Sequence, residues 1–89
     1  MGYLKRFLES GHTSIDAVTW HHYYVSALDC SLPQFIVPEV LDTLLHDFNE
    51  PDAVINQTAP NLPKWLGETA SASGGGARGI SDRFVAGFM

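Results

Sequence analysis

Two strand-like runs with a single helical stripe between them set the architecture of this chain. The first lies in Ile15 to Tyr24, where Ala17-Val18-Thr19-Trp20-His21-His22-Tyr23-Tyr24 is dense in β-branched and aromatic side chains. The second is Lys64-Trp65-Leu66-Gly67-Glu68. Between them Pro38 opens a helix at Glu39, and Val40, Leu41, Leu44, Leu45 and Phe48 recur at helical spacing. That helix is predicted to end near Asn49, ahead of Pro51. A strand, a crossover helix and a second strand make a βαβ unit with parallel strands. The fold class is therefore α/β. A parallel pair does not cover both of its own faces, so the unit needs neighbours.

The flanks extend the same reading. Leu4, Phe7 and Leu8 share one face of a helix from Tyr3 to Glu9, stopped by Ser10-Gly11 and read as the tail of a helix begun upstream. Val25 to Pro38 is a long loop and a candidate binding loop. Pro51 to Pro63 is irregular or weakly helical, and its Asn56-Gln57-Thr58 is a glycosylation sequon that matters only in a secreted protein. After the second strand comes Ser73-Gly74-Gly75-Gly76-Ala77. Ser81-Asp82 then caps a helix with Phe84, Val85 and Phe88 on its apolar side. A helix left unfinished at each end predicts a piece of a larger α/β fold, one partial domain over residues 1–89.

Composition narrows the function classes. At 89 residues there is room for one small domain at most, and 45% hydrophobic with 17% charged residues argues against disorder. A net charge of −5 with five scattered basic residues argues against a nucleic-acid surface. No apolar run reaches the ~20 residues of a membrane span, and Met1 to Phe7 does not read as a signal peptide. Cys30 is alone, which excludes an internal disulfide and a cysteine metal site. His21 and His22 are adjacent on a strand and face opposite ways, so no metal is expected between them. The glycine run lacks the Lys-Ser/Thr pair of a P-loop. Its bare N–H groups could approach an anion, or the run could serve as a linker.

The candidate chemistry follows from strand parity. A period of two puts Trp20, His22 and Tyr24 on one side and Thr19, His21 and Tyr23 on the other. Large groups on both sides predict a strand buried on two faces. The first strand is predicted to end in the aromatic-histidine run and the second in Glu68. In a parallel barrel, reactive groups sit at the C-terminal ends of strands. A carboxylate, an imidazole and a phenol would then converge. Tyr23 donating to ionised Glu68 would favour the charged form, which a nucleophilic carboxylate requires. The plainer alternatives are core aromatics at Tyr23 and Tyr24, histidines satisfied by backbone, and a surface Glu68.

Five blocks carry a resemblance. Val18-Thr19-Trp20-His21-His22-Tyr23-Tyr24, Pro38-Glu39-Val40-Leu41-Asp42, Lys64 to Thr69, Gly74-Gly75-Gly76-Ala77, and Ser81-Asp82 with Ala86-Gly87-Phe88-Met89 resemble the heparanase family. These are endo-β-glucuronidases of glycoside hydrolase family 79 that cleave heparan sulfate with retention of configuration. The resemblance runs from about residue 13 to residue 89. It implies a TIM (β/α)8 barrel, of which this piece supplies about strands six and seven with flanking helices. It implies Glu68 as the catalytic nucleophile, with Tyr23 hydrogen-bonded to it. His21, Gly74 and Gly75 are implied as substrate-binding residues, the glycines as backbone donors to a uronate carboxylate.

The implied partner is heparan sulfate or a related uronate glycan together with the remainder of the barrel. No cofactor is implied, and the location would be secreted, in the extracellular matrix, or lysosomal. The family's acid/base Glu is expected upstream of this chain, so the piece alone is expected to be inactive. Two positions depart from the family. Val25-Ser26-Ala27-Leu28 lacks a substrate-contacting Arg, and Ser73 replaces a Tyr. Arg78, just past the glycines, is a further candidate for sulfate or carboxylate binding. The alternatives are a non-catalytic heparanase-like glycan-binding protein, or a truncated product with no independent fold.

Overall fold

The computed structural model describes residues 2–89. Helix α1 (Gly2–Gly11) runs into a 3-10 turn at His12–Ser14 and then strand β1 (Val18–Val25). A 3-10 turn at Leu32–Ile36 precedes the short helix α2 (Pro38–Leu41). Helix α3 (Thr43–Thr58) leads back to strand β2 (Lys64–Ala72), and a 3-10 turn at Phe84–Phe88 closes the described chain. The two strands pair in parallel, as the strand–helix–strand order requires. Backbone bonds from Val18 N–H to Pro63 O (2.9 Å) and from Ser73 N–H to Val25 O (3.0 Å) prolong the ladder at each end.

Even positions of β1 face the helices. Val18 is buried with Leu8 of α1 and Ile55 of α3, and Leu4, Ile15, Trp20 and Leu62 pack around them. Each such buried aliphatic side chain is worth about 1.5–3 kcal/mol of transfer free energy. Trp20 meets Phe48 edge-on, with ring centroids 5.4 Å apart. Next along the same face, His22 is buried. Its Nδ1 lies 2.8 Å from Asp47 Oδ2 and its Nε2 3.4 Å from Thr43 Oγ1. At the foot of β2, Lys64 Nζ donates to Asp52 and to Asn56 Oδ1 (2.6 Å) on α3. Asn56, the sequon residue, therefore lies within α3 and also donates to Asp52 at 2.8 Å.

Several expectations need correction. The crossover helix does not stop at Asn49; α3 continues through Pro51 to Thr58. Proline removes one N–H from the helical ladder and ordinarily costs about 3 kcal/mol in a helix interior. Here Pro51 is fully buried, so apolar contact offsets the lost bond. The long loop holds a 3-10 turn, closed by Ser31 N–H donating to Gln34 Oε1 at 2.7 Å. The last segment is a 3-10 turn rather than an α-helix, and Ser81 does not cap it. Ser81 Oγ instead accepts from the N–H of Ala77 (2.7 Å), which ties off the glycine loop. The odd face of β1 is not buried within this chain: Thr19 and His21 are exposed and Tyr23 is half-buried.

Candidate active site

The exposed face of the sheet gathers three of the candidate residues. Tyr23 Oη donates to Glu68 Oε1. His21 Nδ1 lies 3.6 Å from the other carboxylate oxygen, Oε2, which is too long for a hydrogen bond. Oε2 thus carries no hydrogen bond among the described residues, with the His21 ring beside it. The site is open, with the His21 and Glu68 side chains 54% and 57% exposed. The carboxylate pushes the Tyr23 phenol above its ordinary 10.0, first by accepting its hydrogen bond, with burial and the negative charge adding to the effect. Tyr23 therefore stays a donor throughout the neutral range.

Simple alternation would not bring Glu68 here. Val18, Thr19 and Trp20 pair with Lys64, Trp65 and Leu66, which puts Leu66 on the helix face with Trp20. Counting on by two would set Glu68 on that same face. Instead the register shifts between Trp20 and His21, leaving Gly67 unpaired and matching Glu68 with His21. This is a β-bulge, and bulges re-aim side chains beside functional sites. A Cβ built on Gly67 would lie 3.4 Å from Thr19 Cβ and 3.6 Å from the His21 ring, so Gly67 and Glu68 share the exposed face. An isolated glycine in a strand pattern signals a bulge, and that was the available sequence clue.

The strand ends also differ from expectation. Glu68, His21 and Tyr23 lie within their strands rather than at the C-terminal ends, because β2 extends to Ala72 and β1 to Val25. Gly74, Gly75 and Gly76 follow β2 with φ of 72°, 89° and 100°, values in the left-handed region that glycine alone adopts freely. Gly74 approaches the loop after β1, its built Cβ 3.8 Å from Ala27, while Gly75 faces open space. No hydrogen bond joins either glycine to the Tyr23–Glu68 pair among the described residues. Arg78 is exposed and forms no hydrogen bond or ion pair there.

The family profile for "Glycosyl hydrolase family 79, N-terminal domain" matches residues 1–89. The chain belongs to glycosyl hydrolase family 79. Within family 79 it is 45% identical to the heparanase of Gallus gallus, over 97% of this chain and 16% of that protein. It is 31% identical to inactive heparanase-2 of Homo sapiens, over 97% of this chain and 14% of that protein. Identity to the hyaluronoglucuronidase of Hirudo nipponia is 28%, over 100% of this chain and 18% of that protein. The chain thus spans about one sixth of the length of the curated heparanase it matches. The family-79 resemblance read from the strand and glycine blocks is borne out. No described helix is long and apolar enough to cross a membrane.

Proposed function

We propose that residues 1–89 form part of the catalytic (β/α)8 barrel of a retaining endo-β-glucuronidase, contributing about its sixth and seventh strands. Its substrate is heparan sulfate or a related uronate-containing glycan, and the full-length protein works outside the cell or in the lysosome. The reading is carried by one observation: in a family-79 chain, Glu68 sits on an open sheet face with one oxygen held by Tyr23 and the other, beside the His21 ring, without a hydrogen bond among the described residues.

In this scheme Glu68 Oε2 attacks the anomeric carbon of glucuronate. The C1–Oε2 bond forms as the glycosidic C–O bond breaks, and an acid/base Glu outside this chain protonates the leaving oxygen. Water then attacks C1, its proton passes to that second Glu, and Glu68 is released. Retaining enzymes hold such carboxyls ~5–5.5 Å apart. Tyr23 orients the nucleophile and keeps one oxygen occupied. His21 contacts the sugar beside it, and the N–H groups of Gly74 and Gly75 receive the uronate carboxylate. Arg78 adds a contact to sulfate or carboxylate. No metal or organic cofactor takes part. Residues 1–89 alone are inactive, since one of the two carboxyls is missing.

The test uses the full-length protein and a mechanism-based fluorinated glucuronide. Wild type should be labelled at Glu68, and Glu68→Gln should bind oligosaccharide without turnover or label. Label on another carboxylate, or near-wild-type turnover by the Gln variant, would overturn the assignment. The 31% match to inactive heparanase-2 gives a second reading, a glycan-binding protein that does not cleave. Binding of heparan sulfate by wild type without cleavage or label would favour it.

A further inference from the structure

His22 stands between His21 and Tyr23 in sequence and points the opposite way, into the packing of the helices. Its ring is held on three sides. Asp47 of α3 accepts at Nδ1 at 2.8 Å, Thr43 stands at Nε2 at 3.4 Å, and the Tyr24 ring packs edge-on at 4.6 Å. Each holder is itself held. Thr43 Oγ1 donates to Val40 O at 2.6 Å, joining the start of α3 to α2. Asp47 also faces His46 Nδ1 at 3.3 Å, and the hydrogen bond from His22 keeps its carboxyl below the ordinary range despite partial burial. An ionised carboxylate only accepts, so the proton between them rests on His22 Nδ1.

The consequence is geometric. A strand turning about its own axis carries neighbouring side chains with it on both faces. His21 and Tyr23 reach Glu68 from the same stretch of backbone that His22 anchors from behind. We propose that His22 is a positioning residue: its ring, clamped by Asp47 and Thr43, sets the angle at which Tyr23 and His21 meet Glu68. For catalysis this rests on Glu68 being the nucleophile. The contact between Tyr23 and Glu68 does not depend on that reading, and this separates the two tests.

Three variants of the full-length protein test the clamp: Asp47→Leu, which removes the acceptor; Asp47→Asn, whose amide oxygen restores one; and Thr43→Val, a milder change should Asp47→Leu fail to fold. The first readout is titration of the Tyr23 phenol by NMR of 13C-labelled tyrosine, assigned with Tyr23→Phe. Asp47→Leu and Thr43→Val should move it back toward the ordinary value, and Asp47→Asn should restore most of the elevation. The second is the rate of labelling by the fluorinated glucuronide, expected to fall about 10- to 100-fold in Asp47→Leu with oligosaccharide affinity within about twofold. A Tyr23 titration unchanged in folded Asp47→Leu and Thr43→Val overturns the positioning role, whatever happens to melting temperature. A shifted titration in a protein that never takes label supports the clamp and removes only the nucleophile assignment.

Discussion

The Tyr23 phenol donates to the Glu68 carboxylate, so each reports on the other. Replacing Tyr23 by Phe leaves the ring and removes the donor; kcat of the full-length protein should fall about 10- to 100-fold with KM changed little, because orientation rather than affinity is lost. Conversely, Glu68→Ala should return the Tyr23 titration toward its ordinary 10.0, since the hydrogen-bond acceptor that chiefly raises it has gone. Asp47 makes a pH prediction on the opposite face. Its carboxyl lies below the ordinary 3.8 when folded, so its contribution to stability is full above that value. The contribution is lost as pH falls through the folded value. Denaturant unfolding of the full-length protein between about pH 5 and pH 2 should show this loss, and Asp47→Asn should abolish that component. The effect should be under about 1 kcal/mol, because the side chain is 49% exposed and water screens it.

At the level of elements, the bulge at Gly67 decides which face the carboxylate occupies. Deleting Gly67 removes the extra residue and leaves Glu68 directly after Leu66, so strict alternation keeps the carboxylate on the exposed face opposite His21. The deletion variant should therefore keep the contact between Tyr23 and Glu68, checked by a Tyr23 titration that stays raised. Gly67→Ala, whose Cβ finds only ordinary contacts, should stay within about 1 kcal/mol of wild type. The sequence made the parallel pair legible, because an amphipathic crossover between two β-type runs leaves little choice. It also made the pairing of Tyr23 with His21 legible through their shared parity. The apolar run before Glu68 points it to the same site, but its route there is not legible in one strand, since a bulge is a property of two strands together. The passage of α3 through Pro51 was hidden for a similar reason. Propensity opposes it locally, and only the buried setting of the proline compensates.

The whole chain is drawn out, 45 × 22 × 19 Å, with a radius of gyration of 15.5 Å. A compact domain of this length would have about 12 Å. Its accessible surface of 6040 Å² likewise exceeds the about 5,200 Å² of a compact monomer of its mass. Tyr3, Phe7, Trp65, Phe84 and Phe88 are among the large apolar side chains left exposed. An apolar groove of about 310 Å³ runs between α1 and the start of β1, lined by residues that include Tyr3, Phe7 and Ile15. Residues 1–89 made alone should therefore show no cooperative thermal transition and should bind a hydrophobic dye, as checked by circular dichroism and fluorescence. The crossover adds a timing to this. Tyr23 and Glu68 are 45 residues apart. At ribosomal speeds of about 5–20 residues per second, the phenol emerges about 2–9 s before its carboxylate. Helix α3 emerges within that interval, so during synthesis the packing side of β1 can close while its reactive side still waits for a partner.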